Sequence, residues 1–377
     1  MSFRFIHVSD LHLGKKMSMV PIDDDQRHVL NFIAETAAKE SADAVIIAGD
    51  IYDSTTPANE SYNLLNGFLT DLAERGIAVY AVAGNHDSAD KISYGSGLFR
   101  RCGIHIAGNY AGGIERMTAK GRDGTEVDIY LMPFIKPATV RNHHPDAGVE
   151  TYTDAVRTAL STAELTGPNR KILVAHQYVT CGSGETRRTE SESFVGGQDN
   201  VDVSLFDGFD YVALGHIHMK QSVGRDTVRY CGTPLKYSKS EADGDKTITV
   251  VDVGDTIDIR EIPIVPLRDV RVIRGPLERL IEAAKEIGGS DDFVFAELTE
   301  PGMDAMQRLR DVYPNTLNVT VVDDNDTDGG FVYSDEMYDD TVDVREAFAK
   351  FFQEKTGNEL SDSQRRIIDS TFEEVGL

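Results

Sequence analysis

The sequence predicts an α/β domain in which buried strands alternate with amphipathic helices, and two observations lead to this class. Short apolar runs, FRFIHVS (3–9), DAVIIAG (43–49) and IAVYAVAG (77–84), have the length and composition of buried strands. The segments between them, 25–40 and 61–76, place their apolar residues on one helical face. Strands that alternate with helices in this way are typical of layered domains with buried sheets.

Further strands of the same kind predict that this first domain continues to residue 265. They lie at 127–134, 170–176, 211–215, 227–232 and 246–253. The prolines of PIVP (263–266) then interrupt the pattern. We therefore assign residues 1–265 to the principal domain.

A small β/α capping domain is predicted after this break, over residues 266–325. Its pattern consists of strands at 269–275, 293–300 and 316–322 and helices at 276–289 and 304–314. The longer helix has a proline near its start and glycines at its end, as helices often do.

The last part, residues 326–377, is predicted to hold an acidic linker and two amphipathic helices. The polar run DDNDTDGG (323–330) leads into it. One helix is expected near 341–356 and the other from Ser361, where Gln364 gives a capping-box spacing. Their apolar faces either fold back on this chain or dock on the helices of a partner.

The bulk composition restricts the environment and the partners of the chain. Its net charge is −25, from 63 acidic against 38 basic residues. Because DNA-binding modules are usually basic, a nucleic-acid role would need a local attractor such as metal ions or a basic partner. No apolar run has the length of a membrane span, and the N-terminus shows no secretory signal. The distant Cys102, Cys181 and Cys231 suit reduced, buried thiols, so we expect a cytoplasmic protein without membrane contact.

Polar donor residues stand directly after five of the predicted strands. In chain order they are Asp10, His12, Asp50, Asn85, His176, His216 and His218. Alone, the first four fit a turn or a cap, His176 fits a core or surface histidine, and the HIH pair fits a surface turn. Ligands of open α/β sheets bind beyond the carboxyl ends of strands, so these residues converge if the strands are parallel. Carboxylate and imidazole donors without cysteine favour Mn, Fe or Zn.

The number of donors indicates a reaction class. Seven are too many for one ion with an open position, but they suffice for two ions that share a bridging carboxylate. Two ions about 3.5–4 Å apart can clamp a phosphoryl group and activate water, which indicates phosphoester hydrolysis. His86 could protonate the leaving group or stabilise the transition state. Asp53 and Asp87 either orient imidazoles or are plain turn residues.

The ordered motifs DLH, GDIYD, GNHD, H and GHIH resemble the calcineurin-like metallophosphoesterase superfamily. This resemblance implies an α/β (α+β) fold, a β-sandwich flanked by helices with two metal ions at one edge. HVSDLHLG, YVALGHIHMKQ and VRYCGTP are also similar to the SbcD family, the nuclease subunits of bacterial SbcC–SbcD complexes. The likeness extends over nearly the whole chain, although its later part rests on the order of elements more than on motifs.

The resemblance implies a role for each donor residue. Metal 1 would be held by Asp10, His12, Asp50 and His218, and metal 2 by Asp50, Asn85, His176 and His216. Asp50 would bridge the two ions, His86 would be the catalytic residue, and manganese would be the metal.

The same resemblance implies an activity and a partner. The activity would be ATP-dependent double-strand exonuclease and single-strand or hairpin endonuclease action on DNA, in repair and recombination. The chain has no GxxxxGK[ST] loop, so the SbcC subunit would hydrolyse the ATP. The C-terminal helices would grip SbcC, and two copies of the chain would form a homodimer within a two-plus-two assembly.

Two other functions are weighed against this one. The first is a stand-alone phosphodiesterase for nucleotides or other small substrates, which would not need a capping domain or terminal helices. The second is a non-enzymatic scaffold, which would not need the intact donor set. Asp53 stands where archaeal and eukaryotic relatives carry histidine, which leaves its role open.

Overall fold

The structure, a computed structural model, describes residues 2–182 and 200–322, together with Ser361, Gln364 and Arg365. Contacts between Cα atoms group Met1–Val321 into one compact unit and Val322–Leu377 into another. All strands and helices given below belong to the first unit.

The strands fall in chain order as follows. They are β1 Phe3–Val8, β2 Lys16–Met17, β3 Val20–Pro21, β4 Ala44–Ala48, β5 Ala78–Val82, β6 Ile104–Ala107, β7 Glu115–Lys120, β8 Glu126–Met132, β9 Arg170–His176, β10 Val179–Thr180, β11 Val201–Asp202, β12 Tyr211–Gly215, β13 Gln221–Val223, β14 Arg225–Tyr230, β15 Thr247–Val253, β16 Ile257–Pro263, β17 Val270–Gly275, β18 Phe293–Leu298 and β19 Thr316–Val321. The helices are α1 Asp23–Lys39, α2 Asn59–Glu74, α3 Ala89–Ser93, α4 Ser96–Phe99, α5 Pro137–His143, α6 Tyr152–Ser161, α7 Leu277–Ile287 and α8 Ala305–Arg310.

Two six-stranded sheets form the principal part of the fold. The first has the order β16-β15-β1-β4-β5-β6, and the second has the order β13-β14-β12-β9-β8-β7. Strands β1, β4, β5 and β6 run parallel to one another, as do β8, β9, β12 and β14. The antiparallel strands lie at the edges, where β15 and β16 extend the first sheet and β7 and β13 the second.

The two sheets pack face to face with helices outside, and the strand sequences show why. Along β4, Ile46 points into the core between the sheets, whereas Val45 packs in the outer core with α1 and α2. Along β9, Val174 points inward and Leu173 packs outward with α5 and α6. Successive side chains alternate across a strand, so strands that are apolar at every position must be covered on both faces. The predicted sandwich flanked by helices is confirmed.

A third sheet of three parallel strands, β17-β18-β19, follows residue 269. Its crossover helices α7 and α8 supply a separate small core, which includes Leu277, Ile281 and Leu309. Phe293 at its edge instead joins the core beside the first sheet. The pattern of strands and helices agrees with the expectation, while the domain boundaries at 265 and 325 stay predictions.

Several sequence expectations need correction or lie outside the description. Strands β6, β7 and β16 and helices α5 and α6 were not predicted, because they are short or alternate with polar, exposed residues. Cys231 is buried as expected, but Cys102 and Cys181 are exposed.

The helix expected near 341–356 lies outside the described residues, as does most of the second C-terminal helix. At the start of the latter, the capping contacts do form. The Ser361 backbone N–H donates to Gln364 Oε1 at 3.0 Å, and the Gln364 N–H donates to Ser361 Oγ at 3.4 Å.

Candidate metal centre

The carboxyl ends of β1, β4, β5, β9 and β12 meet at one edge of the sandwich. The ends of β4 and β9 are joined directly, because Nδ1 of His176 donates to the Ala48 carbonyl at 2.8 Å across the two sheets. After β5, Gly84 leaves room for the carboxylate of Asp50, since a Cβ on Gly84 would lie 2.1 Å from Oδ1 of Asp50. The predicted donors therefore converge from two sheets rather than from one.

Two buried carboxylates, Asp10 and Asp50, form the base of the centre. The backbone N–H of His216 donates to Oδ1 of Asp10 at 3.0 Å, and that of His86 donates to Oδ1 of Asp50 at 2.9 Å. Burial, together with repulsion from Asp50, raises the pKa of the Asp10 carboxyl to about 8. Burial would also raise the pKa of Asp50, but the positive field of His176 and His12 outweighs it and lowers that pKa. Two acids held this close need positive charge beside them.

Four histidines turn Nδ1 toward an oxygen acceptor and leave Nε2 for the centre. For His176 the acceptor is the Ala48 carbonyl, and for His86 it is the Asp53 carbonyl at 2.9 Å. The Nδ1 atom of His12 lies 3.4 Å from Oδ1 of Asp53, and that of His218 lies 3.9 Å from Oε1 of Glu241. In a metal-binding histidine, a hydrogen bond at the second nitrogen fixes the ring and its tautomer. His176 has such a bond, whereas Nδ1 of His12 lies beside Asp53 without hydrogen-bond geometry.

Asn85 and His216 complete the side that faces β9. Oδ1 of Asn85 lies 3.0 Å from Nε2 of His176 and 2.9 Å from Nδ1 of His216. The His216 ring stacks against Phe134, with 6.4 Å between the ring centroids. His216 thus presents Nδ1, whereas the other imidazoles present Nε2.

The chemistry of these atoms fits a cation. A carbonyl oxygen only accepts, so neutral His176 carries its proton on Nδ1 and a lone pair on Nε2. That lone pair faces two further lone-pair atoms, Oδ1 of Asn85 at 3.0 Å and Oδ2 of Asp50 at 3.3 Å. Burial lowers the pKa of His176, but the Asp50 carboxylate outweighs burial and raises it to about 9. The field that would hold a proton on Nε2 also attracts a divalent cation.

The donors fall into groups with the spacing of metal ligands. Donor atoms of Asp10, His12 and His218 lie within 4.8 Å of one another, and so do those of Asp10, Asp50 and His176. The structure therefore brings all seven predicted ligands to one place, with Asn85 and His216 joined to the second group through His176.

The two aspartates of open role take different positions. Asp87 accepts from the backbone N–H groups of Ile51, Tyr52 and Gly84 at 2.9–3.1 Å, so it ties two loops together and orients no imidazole. Asp53 lies beside His12 and accepts from Lys15 at 3.0 Å. Burial raises the pKa of Asp53, but these two neighbours outweigh burial and lower it to about 2.

Three supporting residues gave no signal in the sequence. The Gln26 side-chain amide donates to the His12 carbonyl at 2.7 Å, and the Tyr237 hydroxyl donates to the Leu11 carbonyl at 2.5 Å. Glu241 lies behind His218. Each is distant in sequence from the motif it supports, and only the tertiary fold brings them together.

Comparisons with known proteins identify the class. The calcineurin-like phosphoesterase family model matches residues 3–220, which is more than half of the chain, and the chain belongs to this family. Its clustered histidines and aspartates make this edge a divalent-metal centre. Among the described residues, no helix has the length and apolar character needed to cross a bilayer.

Particular relatives narrow the likeness. The SbcD_C family model, described as the type 5 capsule protein repressor C-terminal domain, matches residues 266–356. The chain is 29% identical over 367 residues to the SbcD subunit of the nuclease SbcCD from Staphylococcus epidermidis, with 96% of each chain covered. A dimetal phosphatase from Danio rerio matches with a TM-score of 0.40 and 11% identity, over 70% of this chain and 98% of that one. The resemblance to SbcD nuclease subunits that the motifs predicted is confirmed.

Proposed function

We propose that this chain is the nuclease subunit of an SbcC–SbcD complex and hydrolyses DNA phosphodiester bonds at a centre of two divalent ions. The observation that carries the proposal is the convergence of seven donor residues from two sheets at one edge. The end-to-end likeness to the SbcD subunit of a known nuclease supports the choice of DNA as substrate over a small molecule.

The proposed ligand sets draw on these donor groups, in which Asp10 lies with His12 and His218 and also with Asp50 and His176. Asp10, His12, Asp50 and His218 would hold one ion, and Asp50, Asn85, His176 and His216 would hold the other. Oδ2 of Asp50 supports a bridging role, since it lies 3.9 Å from Nε2 of His12 and 3.3 Å from Nε2 of His176. The mixed nitrogen and oxygen donors suit manganese.

When bound, two such ions supply an activated water and charge stabilisation at the phosphoryl group. His86 supplies the proton. Its Nδ1 donates to the Asp53 carbonyl, so the ring is fixed, and Nε2 lies 4.0 Å from Oδ2 of Asp50. A quarter of the His86 side chain is exposed, so a substrate can reach Nε2. In its imidazolium form, with a proton on each ring nitrogen, His86 gives the Nε2 proton to the leaving oxygen, and this is the proposed catalytic step for the residue.

The proposal includes the activities and the partner of SbcD nuclease subunits. These are ATP-dependent double-strand exonuclease and hairpin endonuclease action, with ATP hydrolysed by SbcC in the cytoplasm. The net charge of −25 supports dependence on metal ions and on a basic partner for DNA affinity.

A homodimer within a two-plus-two assembly belongs to the same proposal. Tyr94 and Leu98 on and beside α3 and α4 are 84% and 68% exposed, and a second copy of the chain would cover them. We expect Leu98→Glu to shift the molar mass measured by light scattering from dimer to monomer. An unchanged mass would place the dimer contact elsewhere.

The test uses a DNA hairpin, Mn²⁺ and the full chain, with and without SbcC and ATP. We expect His86→Ala to keep its metal ions, measured by calorimetry, and to lose about 10²–10⁴-fold in cleavage rate. His143→Ala, at an exposed histidine of α5, is the matched control and should cleave like wild type.

Three results would contradict the proposal. Loss of metal in His86→Ala would make this ring a ligand. Cleavage of a cyclic nucleotide in place of DNA would favour the stand-alone phosphodiesterase. Metal binding without any hydrolysis would favour a scaffold.

A further inference from the structure

A buried glutamate lies behind one of the proposed ligands. Glu241 ends a short 3₁₀ helix, Lys239–Glu241, in the polar segment SKSEADG. That segment has the composition of an exposed turn, yet Glu241 is only 3% exposed. A buried carboxylate must be compensated by partners, and these partners indicate its role.

The contacts of Glu241 are divided between its two oxygens. Oε1 accepts from the Ser238 hydroxyl at 2.9 Å and faces Nδ1 of His218 at 3.9 Å. Oε2 accepts from Lys246 Nζ at 2.5 Å and from the Thr233 hydroxyl at 3.1 Å. The ammonium group of Lys246 supplies the positive charge that a buried carboxylate needs beside it.

The same Glu241–Lys246 pair also holds the backbone of His218. Lys246 Nζ donates to the His218 carbonyl at 3.1 Å while it pairs with Glu241. On the other side of the ring, Nε2 of His218 lies 3.1 Å from Nε2 of His12. One ion pair thus contacts the ring and the main chain of a residue whose Nε2 faces the centre.

We propose that Glu241 is a positioning residue of the metal centre. Its carboxylate holds His218 with the proton on Nδ1, so that the Nε2 lone pair is directed at the ion shared with Asp10 and His12. Lys246 neutralises the buried carboxylate and fixes the main chain of His218. This inference rests on the proposed metal ligation by His218, and it assigns Glu241 no contact with substrate.

The other histidines of the centre support this role by comparison. His176 uses a backbone carbonyl for Nδ1, and His12 uses Asp53, which is exposed enough to reach solvent. The carboxylate beside His218 is buried and is paired with Lys246, whereas Asp53 beside His12 is 30% exposed and is paired with Lys15. An arrangement this costly to bury is unnecessary for a surface turn.

The experiment measures Mn²⁺ binding to the EDTA-stripped full chain by calorimetry. We expect Glu241→Leu to weaken the affinity for one of the two ions by about 10–100-fold and to leave the affinity for the other unchanged. Glu241→Gln keeps an acceptor oxygen and should recover most of that affinity. Cleavage by Glu241→Leu should return toward the wild-type kcat at saturating Mn²⁺, because only the affinity for the ion is lost.

The matched control is Glu40→Leu. Glu40 pairs with Arg260 near the amino end of β1, at the opposite edge of the sheet, so both ions should bind as in wild type. Glu241→Leu leaves the half-buried Lys246 without its carboxylate and can unfold the chain. The double variant Glu241→Leu/Lys246→Met removes both charges, and it should fold and show the same loss of one ion.

The outcomes separate this inference from the proposed function. Wild-type affinity for both ions in a folded Glu241→Leu chain or in the double variant would overturn the positioning role. If these variants lose one ion while even the wild-type chain does not cleave DNA, the proposed nuclease activity is refuted but the positioning role of Glu241 is not.

Discussion

At Gly215 the two sheets lie in close contact beside the centre, and substitution of this residue by alanine tests that contact. A Cβ on Gly215 would lie 1.9 Å from the Ala48 carbonyl oxygen and 2.9 Å from Nδ1 of His176. Because non-bonded heavy atoms need about 3.5 Å, the ends of β4 and β12 must separate by roughly 1 Å or more. The obstacle is backbone, so no side-chain rotation relieves it.

The magnitude follows from two costs. Forcing one extra carbon into a packed region costs about 1–3 kcal/mol. The hydrogen bond from His176 to Ala48, now 2.8 Å, is stretched or lost, which adds about 0.5–1.5 kcal/mol. We therefore expect Gly215→Ala to lower the free energy of unfolding by about 2–4 kcal/mol. Since His176 moves with its partner, the affinity for the ion it binds should fall as well.

Urea unfolding of the EDTA-treated chain measures the first effect, and Mn²⁺ calorimetry measures the second. Gly67→Ala is the control, because a Cβ at this exposed position within α2 meets nothing within 4 Å. Alanine should stabilise that helix by about 0.5–1 kcal/mol, so the two substitutions differ in sign. If Gly215→Ala unfolds at the wild-type urea concentration and binds both ions normally, the sheets do not meet at this residue.

Two further predictions concern charge. Arg268→Met should lower the free energy of unfolding by about 3–5 kcal/mol, because it leaves the buried Asp25 carboxylate unpaired. The control is Arg157→Met, which removes an exposed ion pair within α6 and should cost less than about 0.5 kcal/mol in the same urea assay. Equal losses of stability in Arg268→Met and Arg157→Met would refute the argument. Burial lowers the pKa of His7 from 6.5 to about 3, so the unfolded chain takes up the proton first and stability falls as the pH drops from 6.5 toward 3. At pH 5 this lowers the free energy of unfolding by about 2 kcal/mol. His7→Gln should lack this part of the loss, so an equal fall in its free energy of unfolding between pH 7.5 and pH 5 would contradict the prediction.

The sequence was sufficient to predict the strands that carry the donors. Strands β4, β5 and β9 are apolar at nearly every position because both of their faces are buried. Their carboxyl ends are therefore visible in the sequence as the points where apolar residues stop. Edge strands such as β7 and β16 have one exposed face, and their polar residues hide them.

The supporting residues could not be predicted, for a physical reason. Asp50 and His176 can be predicted from the sequence because they directly follow buried strands. Glu241 instead lies in a polar turn whose composition matches a solvent-exposed loop. Its burial depends on Lys246 and Thr233, which fold over it. The role of such a residue depends on contacts between distant segments, and no periodic pattern in the local sequence reveals these contacts.

Backbone strain at the centre indicates that bound metal stabilises the folded chain. Of the seven non-glycine residues with positive φ in the described part of the chain, four are proposed ligands, Asp10, His12, Asp50 and His216. Each such conformation costs about 1–2 kcal/mol, so the four together approach the net stability of a typical domain, about 5–15 kcal/mol. The burial of Asp10 beside Asp50, which raises the pKa of Asp10, adds to this cost. A divalent ion that binds the folded chain alone offsets both terms by mass action, and a fold that keeps strained residues at the ends of its strands is therefore best understood as one that is completed by its metal.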